Sequence, residues 1–197
     1  MREVRVVKCK TIRFGEMEVD EKDIIQFPEG ILGFEKSKQF CLVDPGDDTF
    51  ILWLQSLSEP EVAFPLLEPK LFREGYEVKL TASERELLQL TEMREAVVFS
   101  IITIPEDVSR MTANLKAPIV INSRAMTGKQ AVLNKNEYSV KHSMFRELKA
   151  HIATARAALG ISSEKAPQQS QTPAHGTVHP SHFLMSAGSS KCSESRV

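Results

Sequence analysis

Cysteine is scarce in this chain: Cys9, Cys41 and Cys192 stand far apart, odd in number and without CxxC spacing. That excludes a disulfide framework and a thiolate metal centre and fits a reducing compartment. Long apolar runs are missing as well. No stretch reaches the roughly 20 residues of a membrane span, and Met1-Arg2-Glu3-Val4 opens without the apolar core of a secretory signal. The expectation is a cytoplasmic chain with no membrane contact. Also absent are GxSxG, a phosphate-cradling loop ending in GK[ST], HExxH, and GxGxxG after a strand. His175, His179 and His182 lie close together, but in a Ser/Gln/Pro-rich tail that gives a metal no scaffold. No catalytic residue, metal or cofactor is expected, and nothing positive supports an enzyme.

A surplus of basic charge is lacking too. The net charge is −1, and residues 1–140 hold 18 Lys/Arg against 23 Asp/Glu. A nucleic-acid backbone needs a basic footprint, which such a body does not offer. An acidic body suits a basic protein partner, or solubility alone. Residues 141–160 reverse the sign, with Lys141, Arg146, Lys149 and Arg156 against Glu147.

What is present is organised around Ile24-Ile25-Gln26-Phe27-Pro28-Glu29-Gly30-Ile31-Leu32-Gly33-Phe34-Glu35. Pro28 cannot donate to a sheet ladder, and Gly30 and Gly33 are free to take positive φ. Ile31, Leu32 and Phe34 keep the turn apolar, so it is expected to pack onto a core. The turn is either a corner of a β-fold or, flanked by Glu29 and Glu35, a docking surface.

Short strands surround it. Val4–Cys9 reads as the first, and Ile12–Val19 as the second, with Ile12 and Phe14 on one face and Gly15 as a turn or bulge. Phe40–Val43 and Phe50–Ser56 flank Asp44-Pro45-Gly46-Asp47-Asp48, a hairpin with a long loop. The strand carrying Trp53 is apolar on both faces and is therefore central, or covers the core on one side and a partner on the other. Trp53 itself suits either core packing or an interface anchor. Val62–Leu67 is another strand, placed near an edge by Pro65. Thr81-Ala82-Ser83-Glu84 matches a capping box before a short helix. Ala96–Ile104 and Ala117–Asn122 are buried strands, and Met126–Leu133 supplies a Gly-centred turn and its return. Together these predict a mainly antiparallel β-fold, barrel or sandwich.

From Ser143 the period changes. Met144, Leu148, Ile152, Ala155 and Leu159 form one stripe of an amphipathic helix, with Ser143 as cap and Gly160 as stop. The divisions expected are a β-domain at 1–142, a helical extension at 143–160 and a disordered polar tail at 161–197.

Several motifs, taken together and in order, resemble the flagellar assembly factor FliW family. They are Phe14-Gly15-Glu16, Phe27-Pro28-Glu29-Gly30-Ile31-Leu32-Gly33-Phe34-Glu35, Trp53-Leu54-Gln55-Ser56 and Thr103-Ile104-Pro105-Glu106-Asp107. Met111 to Asn122, Gly128-Lys129-Gln130-Ala131-Val132-Leu133 and Tyr138-Ser139-Val140-Lys141-His142 complete the set. The resemblance implies a small antiparallel β-barrel-like domain and a non-enzymatic role in the cytoplasm. It implies two partners, flagellin and the basic translational repressor CsrA, with no direct contact to nucleic acid and a monomer when free. The alternative is an RNA-binding translational regulator acting directly. Candidate partner-binding residues are an acidic edge, Glu16, Glu18, Asp20, Glu21 and Asp23 with Asp47 and Asp48, together with Phe34, Glu35 and Trp53. The helix and tail beyond His142 exceed the family pattern.

Overall fold

Two-residue alternation of apolar side chains builds the wall of a closed barrel. The structure is a computed structural model that describes residues 5–46 and 49–158. Val4, Asp47, Asp48, Leu159, Gly160 and the expected tail lie outside the described residues. Strands β1 (Val6–Thr11) and β2 (Gly15–Asp20) form a hairpin; β3 (Ile25–Gln26), β4 (Gln39–Val43), β5 (Leu52–Ser56) and β6 (Ala63–Leu67) follow. After helix α1 (Ala82–Leu87) come β7 (Ala96–Thr103), β8 (Thr112–Ala113), β9 (Ile119–Asn122), β10 (Thr127–Gln130) and β11 (His142–Ser143), then helix α2 (Phe145–Ala158).

Strands β3, β4, β5, β6 and β7 pair in sequence order, each antiparallel to the next. β7 then pairs with β9, β9 with β10, and β10 returns to β3 through the parallel contact Thr127 to Gln26, which closes the ring. Closure leaves no free edge at the seam. Phe27, Phe40, Leu54, Leu66, Ile119 and Ile121 fill the interior and are fully buried. Each such side chain contributes roughly 1.5–3 kcal/mol by leaving water.

Three smaller clusters lie outside the wall. The β1–β2 hairpin covers Cys41, Val43 and Trp53 with Cys9, Met17 and Val19. Helix α1 and the turn after it set Leu88 and Leu90 against Val120 and Ala131. Both arms of the α1 capping box form: Thr81 Oγ1 accepts the Glu84 N–H, and the Thr81 N–H donates to Glu84 Oε2 at 2.8 Å. A third cluster gathers Leu67, Phe72, Tyr76, Leu115, Tyr138 and Met144 beside the β8–β11 extension.

Several expectations are corrected. β6 is central, not near an edge; Pro65 is tolerated because its β7 ladder begins only at Leu66, while Trp53 faces it from β5. Gly128 lies inside β10, not in a turn, and the turn before it uses Met126 at φ 49°. Ile12 and Phe14 do not share a face: both fall in the hairpin turn, Ile12 77% exposed and Phe14 buried. Ser143 does not cap a helix, because it pairs with Thr112 in β11 and α2 starts at Phe145. Along α2 burial fades from its start: Met144 just before it is fully buried, Leu148 and Ile152 are half-buried, and Ala155 is exposed.

Candidate functional site

The turn from Phe27 to Lys36 is a rigid corner clamped from β10. Gly30 and Gly33 take φ of 76° and 84°, the left-handed region expected of them. Gly30 is required twice over, because a Cβ there would sit 2.7 Å from the Glu35 Cα. Three consecutive residues of β10 hold this corner. Gly128 leaves room for the Phe27 ring, whose Cζ would lie 2.4 Å from an added Cβ. Lys129 pairs with Glu29. Gln130 Oε1 accepts the Leu32 N–H at 3.0 Å, and its amide donates to Ala117 O at 3.2 Å. Two motifs distant in sequence, Phe27-Pro28-Glu29-Gly30 and Gly128-Lys129-Gln130, thus act as one unit.

The corner also presents apolar surface. The turn packs onto the core through Ile31, which is buried, while Leu32 is 60% exposed and Phe34 39%. Phe34 stands edge-on to Phe64 at 5.1 Å between centroids; Phe64 lies 6.4 Å from Phe40, and Phe40 is 5.1 Å from Phe27. Four rings therefore run from the barrel interior to the surface, and edge-to-face pairs of this kind add about 0.5–1.5 kcal/mol each. Glu35 is exposed, and its carboxylate folds back onto the turn. Its Oε1 accepts the Gly33 N–H at 2.8 Å, and that bond holds its carboxyl below the usual range.

The acidic edge has a different character. Glu16 and Glu18 point outward from β2 while Met17 and Val19 point inward, as the alternation requires. Register places Lys10 opposite Glu16 and Lys8 opposite Glu18, and both pairs close, at 3.3 and 3.1 Å. Asp20 caps the short turn Glu21–Asp23 and pairs with Lys22 at 2.8 Å, which lowers its carboxyl pKa. Glu21 is exposed, whereas Asp23 is buried beneath the hairpin. The edge is thus a ladder of alternating charges with one carboxylate withdrawn from it.

Trp53 lies between barrel and hairpin, half-buried. Phe14 meets it edge-on at 6.1 Å, and the Arg13 guanidinium lies 3.6 Å from its ring centroid. A cation over an indole face contributes about 0.5–2 kcal/mol. Nothing in the sequence pairs Arg13 with Trp53, because the contact arises only when the hairpin turn folds over β5. The neighbouring Gln55 is fully buried, its amide donating to Val62 O at 3.1 Å and fixing the β5–β6 loop.

Phe34 and Glu35 therefore lie on one patch and Glu16, Glu18, Asp20 and Glu21 on another, while Trp53 lies apart, beneath the hairpin. Among the described residues no hydrogen bond, ion pair or ring contact joins the two directly. Asp47 and Asp48 lie outside the described residues. No group of three His, Cys, Asp or Glu among the described residues is placed to hold a metal, and no described helix is long and apolar enough to cross a membrane.

The family model for FliW protein matches residues 8–144. The flagellar assembly factor FliW of Bdellovibrio bacteriovorus is 44% identical over 142 residues, covering 72% of this chain and 81% of that protein. Its counterpart from Moorella thermoacetica is 40% identical over 142 residues, covering 72% and 90%. A crystal structure of the flagellar assembly factor FliW superposes with a TM-score of 0.67 at 38% identity, covering 71% of this chain and 97% of the other.

Proposed function

The chain belongs to the FliW family of flagellar assembly factors, and from that premise we propose that it works without catalysis, by exchanging two protein partners in the cytoplasm. One partner is flagellin. The other is the translational repressor CsrA, which the free monomer sequesters so that flagellin is made; accumulating flagellin then captures the monomer and releases CsrA. Synthesis is thereby coupled to secretion. The observation that carries this reading is the presence of two unlike patches on one rigid scaffold. The Phe27–Lys36 corner offers Leu32 and Phe34 on a preorganised backbone, the kind of anchor an apolar segment of flagellin can use without ordering cost. The hairpin face offers Glu21 and the lysine-paired Glu16, Glu18 and Asp20 to a basic dimer, and the surplus of acid in the whole body supplies the attracting field. Asp47 and Asp48 belong to the same proposed set.

Competition tests it. Fluorescently labelled CsrA is bound to the full chain and flagellin is titrated in. The reading expects displacement of CsrA; a stable ternary complex at saturating flagellin overturns the exchange. The direct RNA-binding alternative is separated by filter binding across salt concentrations without CsrA, where no salt-dependent retention of RNA is expected.

A further inference from the structure

A groove lies along the start of β7, away from both patches in the ladder. On one side Ala96–Phe99 pair with β9. On the other, β6 reaches only Ile101 and Ser100, through Leu66 and Leu67. Continuing that register would set Pro69 opposite Val98. Proline has no N–H to give, and the chain turns away there into the short helix Pro69–Leu71. The Asn114 N–H donates to Ile101 O at 2.9 Å, so Ile101 faces the β8 and β9 side. Alternation then turns the N–H and C=O of Val98 to the opposite side, toward the gap left by β6. The Ala96 N–H faces the same way and is taken by Met93 O. Among the described residues no backbone hydrogen bond meets the two groups of Val98 on this side.

The gap is a groove of about 420 Å³, within the roughly 300–1,000 Å³ usual for ligand sites. Its far wall is the extended segment 76–80. Tyr76 and Val78 turn inward and Glu77 and Lys79 outward, a strand-like alternation with no ladder partner among the described residues. The groove's charges are Lys70, Lys79, Arg94, Glu68 and Glu77. Arg94 is held by Glu92 at 2.8 Å and Glu77 lies 4.0 Å from Lys135. Lys70 and Lys79 form no described ion pair, against Glu68 alone among the carboxylates. In an acidic body this is a locally basic slot.

We propose that the groove is a strand-addition site for an extended acidic peptide segment of a partner protein. The peptide backbone bonds Val98, and flanking carboxylates reach Lys70 and Lys79. The site is independent of the flagellin and CsrA reading.

The probe is a synthetic peptide, acetyl-Glu-Thr-Val-Thr-Val-Glu-amide, added to the full chain and followed by amide exchange and chemical shifts in NMR. In the free protein the Val98 amide should exchange faster than that of Phe99, which is paired to β9. With peptide it should slow by about tenfold or more. A peptide methylated at alternate backbone nitrogens should not bind. The Lys70→Glu, Lys79→Glu double variant should weaken binding about tenfold while its melting temperature is unchanged. The proposal is overturned if the free Val98 amide is as protected as that of Phe99, or if the peptide gives no shift changes at about 1 mM. Equal binding of the methylated peptide, or of one with lysine in place of glutamate, overturns it as well.

Discussion

The barrel interior and the outer face of the β1–β2 hairpin obey the same two-residue period yet are held by different forces. Inside, Phe27, Phe40 and Leu54 have no exposure, and a residue as small as Gly128 is dictated by the ring beside it. Outside, Lys8, Lys10, Glu16 and Glu18 are all well exposed and meet only one another. Interior positions are defined by shape, where a single methyl group matters. Hairpin positions are defined by charge in water, where a pair contributes about 0–1 kcal/mol. The motifs that carry the family likeness therefore divide. Those around Phe27 and Gly128 build the scaffold, and in the hairpin motif Phe14-Gly15-Glu16 the buried Phe14 does the same, which leaves Glu16 outside in water.

The largest effect should come from crowding the interior. Gly128→Val drives a side chain into the Phe27 ring and should destabilise the fold by about 3 kcal/mol in urea titrations. Phe27→Leu, itself destabilising, should recover part of this loss when combined with it, and a double-mutant cycle measures the coupling. Additive losses would mean that the two residues do not share the space.

The corner sharpens the contrast within one turn. Gly30→Ala meets the Glu35 backbone as well as the left-handed φ, whereas Gly33→Ala meets the φ alone, with open space around it. The expected losses are about 2–3 kcal/mol at Gly30 and about 1 kcal/mol at Gly33. Equal losses in thermal melts would show that the backbone at Glu35 yields freely.

The seam between hairpin and barrel should fail with alkali. Burial pushes the Cys41 thiol up to about 12, and burial also raises the Tyr76 hydroxyl in the neighbouring cluster. An unfolded thiol titrates near about 8.5. A pKa raised by folding leaves stability whole below the unfolded value and erodes it as pH climbs toward the folded one. Stability should therefore fall by about 2 kcal/mol between pH ~9 and ~11, and Cys41→Ala should flatten that slope. An unchanged slope in the variant would assign the loss to other groups.

How much of this was legible depends on whether the signal was local. The strands expected at Phe40–Val43, Phe50–Ser56 and Ala96–Ile104 form with small shifts at their ends because their neighbours along the chain carry the pattern, and the Thr81–Glu84 capping box is complete within four residues. β8 and β11 have two residues each, too few to show any period. Local rules assign Pro65 to an edge and Gly128 to a turn, while here a distant strand end and a distant ring decide. At the candidate site the acidic edge was visible as composition. Its neutralisation was not, since Lys8 and Lys10 meet Glu18 and Glu16 only once register is set. The same holds for Asp23, buried within an acidic run, and for Arg13 over Trp53.

The smallest effect on stability should accompany the most informative effect on binding. Replacing Glu16, Glu18 and Glu21 by Ser removes two exposed cross-strand pairs, Lys10 with Glu16 and Lys8 with Glu18, and leaves Met17 and Val19 in place beneath them. Unfolding free energy should change by less than about 1 kcal/mol, because exposed pairs gain little over water. The same change turns the outer face from nearly neutral to basic by freeing both lysines. Encounter with a basic partner depends on the summed field, not on any one contact, so the association rate with CsrA should fall and its salt dependence flatten. Dissociation should move less. Lys8→Ser with Lys10→Ser is the opposite perturbation: it also removes both pairs, but it leaves the carboxylates unopposed and should speed association. If both variants shift the rate in the same direction in stopped-flow at low salt, the pairs act through hairpin structure and steering is excluded. If neither does, the hairpin does not steer the proposed CsrA encounter and is a cover for the barrel like any other.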